Sequence, residues 1–387
     1  MRGLAEKAIG CCRHLSTMTE EPGRTTRTFL SPPMRDVHDA LSTWMRELGM
    51  SVRIDAAGNL RGLCGDPEAP RLLIGSHLDT VPDAGAFDGI LGVVLGIALI
   101  EAKPACSIEV IGFSEEEGVR FGFPFIGSRA LTGTLGSDAE IVAPAIREYG
   151  LDPAELGAAH FSPHSIAYLE FHIEQGPVLE SLGLPLAVVD NIVGQSRYRL
   201  SFTGKANHAG TTPMNLRRDA LAAAAEWIGA VERFGITATV GSLTVAPNAV
   251  NAISGEVIAS LDLRHPCDSK RYAACEFLLQ SAYESGQRRG VAVSHELRLD
   301  QLAVPMDGAL RTRLAAAVEA VGYPVHHMDS GAGHDAMIVA PHMPSAMLFL
   351  RSPGGVSHHP DENVLVEDVE AALRVGARFI RDFAHAC

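Results

Sequence analysis

The sequence has no hydrophobic run long enough to cross a bilayer. Its longest, Ile90–Ile100 (ILGVVLGIALI), is about half a membrane span and is broken by glycines, so it reads as a buried helix. No secretory leader is expected, because Met1–Gly10 carries Arg2, Glu6 and Lys7 with no apolar segment after them. There is no Cys-x-x-Cys pair. The 7 cysteines, at positions 11, 12, 64, 106, 267, 275 and 387, are odd in number and fit reduced thiols in a cytoplasmic protein. Positive charge is in deficit: 32 Lys and Arg stand against 46 Asp and Glu, a net charge of −14. That balance argues against nucleic acid or an anionic membrane as the main partner. Internal repeats and low-complexity tracts are missing too.

What is present suits a soluble enzyme. Hydrophobic residues make up 47% and charged residues 20% of 387 positions, a length that favours two domains. Met34–Leu48 has apolar residues at helical spacing and ends at Gly49. Arg71–Ser76, Ser107–Phe113 and Ala167–Phe171 are short apolar runs, read as buried strands, and each is followed at once by polar residues: HLDT, SEEEG and HIEQG. In α/β folds ligands bind at the carboxyl ends of strands. Near Val193 the pattern changes. Arg197–Thr203 alternates with period two, Asp219–Phe234 and Ser269–Arg288 read as helices, and Ile236–Val245 and Glu256–Leu263 read as strands. After Pro305 the α/β character returns with helix Gly308–Val321, strand Ala346–Leu350 and helix Val366–Ala384. The expectation is an α/β catalytic domain with a mixed, largely parallel sheet (residues 1–193 and 308–387), interrupted by a smaller α+β domain (residues 194–307).

The chemistry-bearing residues recur at those strand ends. His77 and Asp79 form H-x-D, Asp88 stands in F-D-G, Glu115, Glu116 and Glu117 precede Gly118, His172 opens HIEQG, and His358 lies in GGVSHHPDE. Imidazole and carboxylate ligands suit Zn, Mn, Co or Ni. Two divalent cations roughly 3.5–4 Å apart need a bridging anion, which a carboxylate supplies. A single His after a strand is more often a structural hydrogen-bonding residue, and three adjacent Glu are more often a solvated charge run. Here the Glu run follows an apolar strand and precedes V-R-F-G-F, where a solvated loop seldom places aromatic residues.

The segments GSHLDTVPDAGAFDG, SEEEGVRF, HIEQGPVLE, VGQSRYRLSFTGKANHAGTTPM, PNAVNAISG, SGAGHDA and GVSHHPDE run in order from residue 75 to 362. By these motifs the chain resembles the ureido-amidohydrolase (hydantoinase/carbamoylase) branch of the M20 family. That branch contains allantoate amidohydrolases, N-carbamoyl-L-amino acid hydrolases and β-ureidopropionases. Its peptidase relatives do not normally combine HIEQG, HAGTTPM and GAGHDA.

The resemblance implies roles by position. His77, Asp88, Glu117, His172 and His358 match the ligands of two divalent cations per subunit (Mn or Zn, with Co or Ni as further options), and Asp88 matches the bridge. Glu116 matches the general base, and Asp79 the residue that fixes the tautomer of His77. Glu115 falls outside the register that Gly118 anchors, and the S-H-x-P pattern selects His358 over His359. His208 matches a group that stabilises the developing oxyanion, reaching the active site of a partner subunit, so a homodimer through the inserted dimerisation (lid) domain is implied. Arg264 matches the binder of a substrate carboxylate, with Asn251 and Gln195 as further substrate contacts. The backbone at Gly331 and Ala332 could approach a ligand closely, and His334 is read as a supporting residue. The expected activity is hydrolysis of a ureido C–N bond in a small carboxylate, with allantoate favoured. An N-carbamoyl amino acid, an M20 aminoacylase or dipeptidase, and a metal-free binding protein are the alternatives.

Overall fold

The structure, a computed structural model, describes residues 1–384; Cys387 lies outside them. The chain divides into two compact units, one formed by Met1–Asp190 with the chain from Pro305 onward, the other by Asn191–Val304. The division falls inside a strand, Leu186–Ile192, rather than after Val193.

Strands β1 (Ser51–Ile54), β2 (Leu60–Cys64), β3 (Arg71–His77), β4 (Ser107–Phe113), β5 (Ser165–Ile173) and β6 (Leu186–Ile192) come first. The second unit contributes β7 (Gly194–Thr203), β8 (Asn207–His208), β9 (Thr237–Thr239), β10 (Leu243–Ala246), β11 (Ala252–Ile253), β12 (Glu256–His265) and β13 (Ala292–Gln301). The chain then forms β14 (Val304–Pro305), β15 (His327–Ser330) and β16 (Ser345–Leu350).

The larger sheet runs β1-β2-β4-β3-β5-β16-β6-β14, with β15 paired to β6. Its centre, β4-β3-β5-β16, is parallel, while β1 on β2, β2 on β4 and β6 on β16 pair antiparallel. The parallel strands are covered on both faces, which is why β3, β4 and β16 are buried along their whole length and read as unbroken apolar runs. The helix Ile90–Ile100 is buried at every residue. Its Gly92 lets it lie directly on the sheet, since a Cβ there would stand 2.2 Å from the Phe171 carbonyl. It is a core helix of 11 residues, and among the described residues no helix is long and apolar enough to cross a membrane.

The second unit is an antiparallel sheet, β10-β12-β7-β13, with β9 also on β12. Helices Ala220–Arg233 and Asp268–Arg289 pack on it through Phe202, Trp227, Leu261 and Leu278. The alternation of buried and part-exposed residues along β12 is the period-two signature of a strand with one covered face. Several elements lie beyond the sequence expectation, among them β1, β2, β6, the helix Asp138–Tyr149, the edge strand β13 and the N-terminal helix Arg2–Ser16, which buries Ala5, Ala8, Ile9, Cys12 and Leu15. The run expected as one strand, Ile236–Val245, is broken into β9 and β10 around Gly241.

Candidate metal centre

His77 closes β3, and His172 sits near the end of its parallel neighbour β5. Each ring turns Nδ1 to a backbone carbonyl: His77 to that of Asp79 at 3.0 Å, His172 to that of Ile173 at 2.9 Å. A carbonyl can only accept, so each Nδ1 carries a proton and each Nε2 is the atom left to face a cation. Those two Nε2 atoms lie 3.4 Å apart, and Asp88 Oδ1 lies 3.3 Å from that of His172. Three potential ligand atoms, two ring nitrogens and a carboxylate oxygen, converge here, which is the arrangement a cation stabilises. The field agrees. Burial lowers the His77 pKa, but Asp79, Asp88 and Glu117 outweigh it and raise it to about 9.

Asp88 reaches this point because the next residue is glycine. Gly89 has φ +69°, and a Cβ on it would lie 2.4 Å from the His77 ring. On its other side Asp88 Oδ2 is 3.1 Å from His358 Nε2, which is 3.3 Å from Glu117 Oε1. Hydrogen bonds to Asp88 and Glu117 raise the His358 pKa to about 10. The potential ligand sets are therefore His77/Asp88/His172 and Asp88/Glu117/His358, with His77/Glu116/Glu117 also within 4.8 Å of one another. Asp88 is common to the first two, as a bridging carboxylate requires. Burial opposes its ionisation, but His358, His172 and His77 hold its pKa below the usual carboxylate range.

Glu116 is buried, with Oε2 4.0 Å from His77 Nε2. Burial first, then Glu117, Asp335 and Asp79, push its pKa well above the ordinary range. Asp79 meets the His77 ring through its main chain. Its backbone carbonyl, not its carboxylate, accepts from His77; the carboxylate stands 3.7 Å from that nitrogen. The carboxylate instead accepts the N–H groups of Glu116 (2.9 Å) and Glu117 (3.0 Å), fixing the turn that presents both. Glu115, with φ +51°, turns away and accepts the N–H groups of Phe29 (2.8 Å) and Arg120 (2.6 Å).

Three supporting residues escaped the sequence reading. Gln175 Nε2 donates to both oxygens of Asp88 at 3.1 Å. Glu362 Oε1 accepts the N–H groups of Phe87 (3.0 Å) and Asp88 (2.9 Å), and its other oxygen accepts from Ser357 (3.2 Å). Arg27, fully buried, donates to the carbonyls of Leu78, Leu15 and Met18, tying the N-terminal helix to the turn after β3. Gln175 and Glu362 stand inside HIEQG and HHPDE, so the motifs held the only signal for them. His334 is buried with its ring centroid 4.4 Å from that of His172, and its Nε2 pairs with Ser330 Oγ at 2.8 Å. Ala332 N–H donates to the same hydroxyl at 3.2 Å, and Gly331 has open space where a Cβ would be.

Within the second unit the remaining candidates form two pairs. Gln195 on β7 lies directly opposite Arg264 on β12. Arg264 donates to both oxygens of Asp262 (2.9 and 3.2 Å), and buried Gln195 Oε1 has no hydrogen-bond partner among the described residues. His208 on β8 lies opposite Ala252, the residue after Asn251, whose carbonyl accepts from Ala209 at 3.0 Å. His208 Nδ1 accepts the N–H groups of Gly210 (3.0 Å) and Thr211 (3.2 Å). Its proton is therefore on Nε2, which makes the exposed ring a hydrogen-bond donor. All six cysteines among the described residues are free thiols.

Comparison with known proteins places this geometry in context. The profile of Peptidase family M20/M25/M40 matches residues 73–382. The chain is 39% identical to N-carbamoyl-L-amino acid amidohydrolase of Geobacillus stearothermophilus, covering 91% of this chain and 92% of that protein. It is 36% identical to allantoate deiminase 1 of Glycine max, over 98% of this chain and 90% of that one. A crystal structure of an amidase of the hydantoinase/carbamoylase family from Burkholderia multivorans superposes with TM-score 0.90 at 30% identity, covering 98% of both chains.

Proposed function

The chain belongs to peptidase family M20/M25/M40, and from that premise we propose that it hydrolyses the ureido C–N bond of a small carboxylate, allantoate first. The observation that carries this reading is Asp88, shared between the His77/His172 and Glu117/His358 sets. Two divalent cations held there, Mn or Zn with Co or Ni also accepted, would supply Lewis acidity, lowering the pKa of water and polarising the carbonyl.

The chain's own groups would do the rest. Glu116, buried beside His77, takes a proton from the attacking water and passes it to the leaving nitrogen. Asp79 holds the turn that keeps Glu116 and Glu117 in place. The Nε2–H of His208 meets the negative charge that develops on the carbonyl oxygen. Arg264 binds the substrate carboxylate, exchanging part of its pairing with Asp262. Gln195 and Asn251 contact the ureido end, with the Gly331–Ala332 backbone beside it. The overall change is R–NH–CO–NH2 plus water giving an amine, ammonia and carbon dioxide.

The proposal includes a cytoplasmic homodimer assembled through the second unit, with His208 supplied across subunits. The Geobacillus relative favours a second reading, an N-carbamoyl-L-amino acid hydrolase or β-ureidopropionase. The choice of allantoate rests on V-G-Q-S-R-Y, Val304-Pro305-Met306 and S-G-A-G-H-D-A, which look closer to the allantoate subgroup. A panel of allantoate, N-carbamoyl-L-amino acids and dipeptides, assayed with Mn and with Zn, tests the reading. Ammonia from allantoate is expected; turnover of dipeptides alone would sink it.

A further inference from the structure

Away from the metal centre, a cavity of about 380 Å³ opens at the far end of the same strands. Its lining includes Arg53, Arg61, Arg71, Glu109, Val52 and Leu63, from β1, β2, β3 and β4. Arg71 begins β3 and His77 ends it, so at ~3.3 Å per residue the cavity is about 20 Å from the ligand set.

The charges here do not close on themselves. Arg53 and Arg61 are direct cross-strand partners, a like-charge placement that costs stability in an antiparallel pair. Arg61 is buried and satisfied on one side by Glu109 Oε1 at 2.8 Å and the Ala159 carbonyl at 2.7 Å, with Asp55 at 3.8 Å. Glu109 must also serve Arg71, but its Oε2 is 3.5 Å from Arg71 Nη1, longer than a good charge-assisted bond. Among the described residues both Glu109 Oε2 and Arg71 Nε are buried without a hydrogen-bond partner, and Arg71 is only 6% exposed. Three guanidiniums thus face two carboxylates. The crowding is felt at Arg53, where burial and then Arg61 hold the pKa below its usual range. A purely structural cluster on a chain of net charge −14 would have carboxylates to spare for this place.

We propose that this cavity is a second binding site, for a small oxyanion that brings its own hydroxyl, such as a hydrogen phosphate group or a 2-hydroxy carboxylate. The anionic oxygens satisfy the excess guanidinium charge, the hydroxyl donates to Glu109, and Val52 and Leu63 cover a short apolar body. The volume lies within the range of small-ligand pockets. The site is separate from the metal ligands and takes no part in the hydrolytic chemistry.

The test is a thermal-shift titration of the metal-loaded protein with inorganic phosphate and with lactate, against chloride at equal ionic strength. A saturable rise in midpoint with either anion is expected, and which anion acts identifies the anionic group. Arg53, the most exposed of the three arginines, is the variant position. Arg53→Met should need at least about tenfold more anion for the same rise, Arg53→Lys should recover most of the response, and hydrolytic activity should not change in either. Without anion, Arg53→Met should melt no lower than the wild type, because it removes a like-charge pair; a purely structural arginine would lower it. No rise beyond chloride, or identical titrations of wild type and Arg53→Met, overturns the proposal, the latter assigning the anion to the metal centre or to adventitious binding.

Discussion

Asp88 is held from three directions: Gln175 donates to both its oxygens, His358 pairs with one of them, and Glu362 grips its backbone N–H. Gln175 and Glu362 thus position Asp88 from outside the ligand sets, while His358 belongs to one of them. Removing such a support typically weakens metal affinity 10–100-fold, by rough estimate. Glu362→Ala leaves the N–H groups of Phe87 and Asp88 without an acceptor, so a loss of about that size is expected in a chelator-competition titration. Glu362→Gln keeps an acceptor oxygen and should recover most of the affinity. Equal affinity in all three proteins would show that Glu362 does not set the bridge. Such supports are hard to see in a sequence. Glu362 meets Phe87 across a separation of 275 residues, and nothing local to either marks the other. The roles of Asp79 show the same difficulty at short range. The family resemblance paired Asp79 with His77 without naming the group that makes the bond; the turn gives it to the backbone carbonyl and frees the carboxylate for Glu116 and Glu117.

At the scale of elements, the strand ends were the most legible part of the chain. β3, β4 and β5 lie at the centre of a parallel sheet, where burial on both faces demands short apolar runs, and polar residues after such runs stand out. β13 was less legible because most of it faces solvent and its apolar residues are few; the N-terminal helix buries mainly small residues, Ala5, Ala8 and Cys12, with only Ile9 and Leu15 as large apolar side chains. The entry to Ile90–Ile100 is where fold and site meet. Gly89 combines a left-handed φ with a Cβ position occupied by the His77 ring. Gly89→Ala should therefore cost more than the ~1 kcal/mol of an unfavourable left-handed backbone alone, since the His77 ring must also move. Urea unfolding should show a lower midpoint, and the isolated protein should retain less metal. An unchanged midpoint with full metal content would mean that the turn can relax and that the close approach is not required.

At the scale of the whole molecule, the two-unit division separates the ligand sets and Glu116, in the larger unit, from Gln195, His208, Asn251 and Arg264, in the smaller. If His208 serves the partner subunit, two inactive variants should complement each other. Mixing Glu116→Gln with His208→Ala under subunit exchange should restore activity toward a quarter of the wild-type level, by simple counting of one intact site among four. No recovery despite verified exchange would place His208 in its own subunit's site. The account as a whole stands on Asp88 joining two ligand sets, and metal counting tests it most directly. After loading and removal of free ion, elemental analysis should find about two cations per chain in the wild type, about one in His358→Ala, and close to none in Asp88→Ala. A wild type that saturates at one cation, or an Asp88→Ala variant that still holds two, would contradict it.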